Sequence, residues 1–184
     1  MSVPLETLTI EDERERFYAA LGKAITQWQH VEAAVGRIFS NAISITEHEA
    51  TNHAFYAIIS FDTKLYMTDC AVCASSITKS KLDRWKPLYN KANRRNKRRN
   101  YLAHYMLEID ETRRPGYRVH LRPSGFNGLV AKQYGDNPPR LITDQVIASG
   151  NAFDTLASEL GEFARFIWGE RILEIVGPIG ATAE

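Results

Sequence analysis

From Phe17 to Phe39 the apolar residues Phe17, Leu21, Ala24, Ile25, Trp28, Val31, Val35, Ile38 and Phe39 recur mostly in steps of three and four. That spacing lines one side of a helix and predicts a long amphipathic helix over 11–43. One position in the same phase is charged: Glu32, four after Trp28 and three before Val35. Thr46 with Glu49 three later forms a capping-box pattern that opens a second helix over 47–77, striped by Ala54, Ala57, Ile58, Phe61, Leu65 and Val72. Asp83 is placed to cap a third helix over 83–106, with Pro87 still in the first turn, where its missing N–H has no intrahelical acceptor to lose. After His104 the period changes from helical to two. The segments "YMLEIDE" and "YRVHLRP" alternate on either side of Pro115-Gly116 and predict a β-hairpin over 106–122. The Gly- and Pro-rich stretch 124–140 fits either a third short strand or a loop. Thr143 then opens a last helix over 144–173, with Val146, Phe153, Leu156, Leu160, Phe163 and Ile167 on one side, before a frayed tail.

Each single-striped helix needs partners to cover its stripe, so the expected fold is mainly α: a four-helix bundle with a β-hairpin inserted between the third and fourth helices. A length of 184 residues suits a single domain spanning 1–184. Hydrophobic residues at 44% and charged residues at 24% are globular values and argue against disorder. No apolar run approaches the roughly 20 residues of a membrane span, and the first residues lack the pattern of a signal peptide, so the reading is soluble and cytoplasmic, with no membrane.

Charge changes the picture more than composition does. The formal net charge is +1, yet from Lys81 to Asn100 there are nine Lys or Arg against Asp83 alone, a local +8 that leaves −7 for the rest of the chain. Five cations fall within Arg94–Arg99. Like charges one turn apart repel, so such a run needs water or an anionic partner in front of it. Advancing about 100° per residue from Trp85 puts Ala92, Ala103 and Met106 near the apolar stripe, Arg99 inside it, His104 on its shoulder and Asn100 between them. A cation on a core face calls for an anion. Glu32 is the matching anomaly on the first helix, and either the two meet, within the chain or across a dimer, or each reaches past the edge to water.

The segment Arg99-Asn100-x-x-x-His104, near the end of the third helix and combined with a first helix reading "QWQHVEAAVGRIF", resembles the R-N-x-x-x-H signature of the HEPN superfamily (higher eukaryotes and prokaryotes nucleotide-binding domains). The resemblance loosely covers residues 10–173. It implies a HEPN-like bundle acting as a homodimeric, metal-independent endoribonuclease, with the motif helices of two copies facing across a cleft. In that reading His104 is general acid or base for the 2′-hydroxyl or the leaving oxygen, since an imidazole has both protonation states available near neutral pH. Arg99 stabilises the extra charge of the transition state, and Asn100 orients them. Arg94, Arg95, Lys97 and Arg98 hold the RNA backbone, and Glu32 supports Arg99. The implied partners are RNA, a second copy, and an antitoxin or nucleotidyltransferase-like protein, in a toxin or defence role. No metal or other cofactor is implied. Two alternatives stay open beside this: a solvated basic face, and a non-cleaving HEPN-like module that binds nucleic acid or protein.

Other signals point to structure. Cys70 and Cys73 have C-x-x-C spacing but lack the further ligands of a zinc site and the βαβ context of a redox motif, and read as two small buried residues. His30, His48 and His53 read as structural. His120 shares a strand face with Arg118 and Arg122, either a solvated face or one that adds RNA contacts.

Overall fold

The computed structural model describes residues 7–44, 46–75, 78–123 and 140–176, with the backbone alone over 173–176. The protein is mainly helical: α1 (Ile10–Ile43), α2 (His48–Tyr56), α3 (Phe61–Ala74), α4 (Lys79–His104) and α5 (Thr143–Val176), with three short strands, β1 (Met106–Ile109), β2 (Val119–Arg122) and β3 (Leu141–Ile142), between α4 and α5. The stretch 124–139, most of the segment left open as strand or loop, lies outside the described residues, as do 76–77 at the end of the second expected helix and the tail from 177. The chain groups into two compact units, one formed by the chain up to Trp28 and from Lys97 to Phe153, the other by Gln29–Asn96 and the chain from Asp154 onward. Helices α1, α4 and α5 each contribute residues to both units.

In the first unit, α1 starts with a reciprocal cap. The Thr9 backbone N–H donates to the Asp12 carboxylate at 2.9 Å, and the Asp12 N–H donates back to the Thr9 hydroxyl at 3.1 Å. These bonds hold the Asp12 carboxyl below the usual carboxylate range, the Thr9 hydroxyl contributing most. Phe17, Ala24, Trp28, Leu102, Val119, Leu121, Leu141, Val146 and Phe153 are buried. Trp28 meets Phe153 edge-on with ring centroids 5.1 Å apart. Gly150 sits so close to α1 that an added Cβ would lie 2.5 Å from Gln27 Oε1 and 3.3 Å from Ala24 Cα. A side chain there would have to displace the Gln27 amide and press against the α1 backbone at Ala24.

The sheet is antiparallel in the order β1-β2-β3, with Glu108 opposite His120 and Leu121 opposite Leu141. Its β1 and β2 fall within the 106–122 expected for a hairpin. The expected solvated face does not exist at His120, which is fully buried, its Nδ1 3.3 Å from the Arg118 carbonyl and its Nε2 without a hydrogen-bond partner among the described residues. The neighbouring cations are occupied as well. Arg118 donates to Glu13, itself 3% exposed, at 2.7 Å and to the Leu8 carbonyl, and Arg122 donates to Glu108 at 3.2 Å. The strand register alternates as read, but the start of α1 and the flanking strands cover the polar side too, which alternation cannot reveal.

Burial pushes the His120 imidazole below its ordinary value, and the charge of Arg140 adds to this. The Arg118 carbonyl and Glu108 oppose it. The folded protein therefore resists protonating His120, while the unfolded chain takes up that proton below about pH 6.5. Stability from this group is full above that pH and is lost as pH falls from there toward the lower folded value. In chemical denaturation series between about pH 7 and 5, His120→Gln should flatten the acid loss seen in the wild type. An identical slope in the two proteins would contradict this.

In the second unit, the expected helix over 47–77 is broken. Ser60 is extended at φ −80° and ψ 126°, and its hydroxyl accepts from Thr63 N–H, so it caps a new helix, α3. The Thr46–Glu49 capping box does not form. Glu47 holds the cap position of α2 with no side-chain bond, and Ser44 Oγ accepts from the Glu47 N–H at 3.2 Å instead. Ala57, counted in the stripe, is exposed, and Ile59 is wholly so. The restart gives α3 its own phase, with Phe61, Lys64, Leu65, Thr68 and Val72 on the buried side. The CxxC pair consequently faces out: Cys70 and Cys73 are exposed, not buried. Partial desolvation and the nearby charge of Asp69 push the Cys73 thiol up, the opposite of an activated thiolate.

That phase also decides the partner of Glu32. Lys64, 6% exposed, reaches the Glu32 carboxylate beneath the rings of Phe55 and Tyr56, each 5.2 Å from the ammonium. The expected pairing of Glu32 with Arg99 is thus replaced by a lysine that an unbroken second helix would have placed differently. Helix α4 begins at Lys79, earlier than expected, so Pro87 lies inside it and Asp83 does not cap it. The added turn is anchored by Lys81, which is 3% exposed and bonds to Glu170 at 2.5 Å. Trp85 stacks on Phe163 at 5.5 Å and donates its indole N–H to Asp69 at 2.7 Å. The Phe55 ring lies on Gly36, where an added Cβ would come within 3.1 Å of it.

Candidate functional site

The motif residues lie on the last turns of α4, in the first unit. Leu102 is buried and anchors this end of the helix, which leaves Arg99 and Asn100 half-buried and His104 exposed as the final helical residue. Arg99 Nη1 donates to Asn100 Oδ1 at 3.0 Å. The guanidinium is thereby fixed by its neighbour while its other donors keep their capacity, since a guanidinium carries five N–H groups. Asn100 and His104 are four apart and so share a face one turn from each other, while Arg99 lies further round the helix. Neither Arg99 nor His104 is sealed in the core.

Arg99, expected inside the apolar stripe, is half-buried, and two of its neighbours depart from the expected phase. Ala103 and Met106, expected near the apolar stripe, are exposed, Met106 at 56%. The chain leaves the helix after His104, so helical phase no longer governs Met106, whereas Ala103 is exposed although it still lies within α4.

The four flanking cations divide. Arg94, Arg95 and Lys97 are exposed and make no ion pair among the described residues. Arg98 is half-buried and turned to α5, its Nε donating to Ser149 Oγ at 3.0 Å, while Ser149 donates on to the Gln145 carbonyl at 2.6 Å. A structural bond therefore occupies part of the Arg98 guanidinium that the motif reading assigned to the RNA backbone. Glu32 belongs to the Lys64 pair described above.

Two aromatic residues beside His104 escaped the sequence reading. Tyr101 and Tyr105 stack with ring centroids 5.0 Å apart and planes 29° from parallel. Their spacing of four, flanking the histidine, is the signal that could have drawn attention to them. Asn96 was missed too. It is buried and donates to Asp62 at 2.7 Å, a polar anchor from α4 to α3 within the second unit.

Chemically, the end of α4 offers a held guanidinium, an amide beside it, an exposed imidazole able to give or take a proton, and a pair of rings suited to stacking on a base. Among the described residues there is no group of three or more His, Cys, Asp or Glu placed to hold a metal ion, and no helix is long and apolar enough to cross a membrane. Against protein-family models, curated proteins and solved structures, the chain gives no match.

Proposed function

We propose that the protein is a HEPN-like, metal-independent endoribonuclease that acts as a homodimer, its motif helices facing one another across a groove. The observation that carries this reading is the Arg99 guanidinium held by Asn100 on the same few turns that expose His104. The reaction needs little else. The 2′-oxygen attacks the adjacent phosphorus, the bond from phosphorus to the 5′-oxygen breaks, and a 2′,3′-cyclic phosphate and a 5′-hydroxyl result. One His104 takes the 2′-hydroxyl proton and the copy's His104 gives one to the leaving oxygen. Arg99 meets the growing negative charge on the non-bridging oxygens. Asn100 keeps the guanidinium aimed. Exposed Lys97, Arg94 and Arg95 attract the RNA backbone without regard to sequence, and Tyr101 and Tyr105 give a base a surface to lie on. A cytoplasmic toxin or defence role, with an antitoxin or nucleotidyltransferase-like partner, extends the same reading.

The exposure of Arg94, Arg95 and Lys97 also favours a second reading, a module that binds RNA or an acidic protein and does not cut. End-labelled RNA incubated with the protein separates the two. Cleavage that persists in chelator, disappears in the His104→Ala variant and leaves cyclic-phosphate ends supports the nuclease. Salt-sensitive binding with intact RNA supports the module, and cleavage that stops with chelator rejects the mechanism.

A further inference from the structure

The second unit carries a cleft of about 460 Å³, within the range of small-molecule sites, lined by α1, α2 and α5. Arg37 of α1 and Arg165 of α5 both border it, and neither makes an ion pair among the described residues. Both also line the adjoining cleft with Asp154 and Glu162, and each is a planar, permanently charged donor that an oxyanion can engage through paired hydrogen bonds. On the same wall, His48 and Trp168 lie ring to ring at 5.2 Å, with Trp168 37% exposed.

The floor is already organised. Asn41 is fixed by donation from its Nδ2 to the Ala164 carbonyl at 2.9 Å. Ser40 is held in a chain running from the Thr51 hydroxyl at 3.0 Å and on to Asn52 Oδ1 at 3.1 Å. Gly161 presents no side chain, and nothing lies within 4 Å of the position its Cβ would take, so the cleft stays open there. A hydrogen-bonded polar floor, two planar cations without an ion pair among the described residues and an aromatic wall are the parts of an anion site with an apolar flank.

We infer that this cleft binds a phosphate monoester bearing a flat ring, the phosphate held between Arg37 and Arg165 and the ring laid against Trp168. A bare anion would leave the aromatic wall unused, and a neutral ring would make no use of the two guanidiniums. The site draws on none of the motif residues.

Phenyl phosphate, inorganic phosphate and phenol are the probes, followed through the indole N–H signals of the three tryptophans in two-dimensional NMR, with Trp168→Phe assigning the relevant one. Phenyl phosphate should shift the Trp168 signal saturably, leaving buried Trp28 and Trp85 unmoved, and bind about tenfold more tightly than either fragment. Arg37→Gln and Arg165→Gln, both at exposed positions, should each weaken it by about tenfold, and His104→Ala should not change it. Absence of a saturable shift, an equal response to phenol, or full binding by both arginine variants would overturn the inference. The His104→Ala control keeps its fate separate from that of the nuclease reading.

Discussion

His104→Ala is expected to slow RNA cleavage by about 10²–10⁴-fold, the usual contribution of a positioned acid or base, while the melting temperature stays where it was. The two halves of this result come from the same geometry. His104 is the last residue of α4 and exposed, so truncating it opens no cavity and strands no buried partner. Its value to the protein must then be chemical or nil. Arg99→Lys provides the companion measurement. It keeps the charge but loses the planar fork and the bond to Asn100, so it should depress cleavage while leaving salt-dependent RNA affinity nearly intact. Cleavage at the wild-type rate in the His104 variant would end the proposed mechanism.

The largest effect on stability is expected at Glu13. This carboxylate is 3% exposed and accepts from the Arg118 guanidinium at 2.7 Å and from the Arg118 backbone N–H at 3.2 Å. The single bond network thus ties the start of α1 to β2. Removing the acid alone leaves a largely buried guanidinium without its counter-charge, a change that costs about 3–5 kcal/mol in comparable pairs. For a chain of this size Glu13→Ala should lower the melting temperature by about 10 °C or more. The double variant Glu13→Leu/Arg118→Met removes both charges and should recover most of that loss. A single variant as stable as the wild type would mean that water, not Glu13, satisfies Arg118.

The two predictions draw on different sources of information. The candidacy of His104 was legible in the sequence, because the motif, the basic run and the helical phase are all local patterns. Glu13 carried no such mark. It sits in the acidic first turn of α1, where an acid is explained by the helix terminus alone. Only the return of β2 to that end of the helix turns it into a buried partner.

The sequence by itself determined the long helices α1 and α5 and the change from helical to alternating period after His104, since each follows from the spacing of apolar side chains within one element. The tertiary structure decided which element covers which. It broke the second helix at Ser60, gave Glu32 to Lys64, buried His120, exposed the two cysteines and turned Arg98 toward Ser149. Periodicity reports the side of an element that seeks cover. The partner that supplies the cover lies far away in the chain, and no local pattern encodes it.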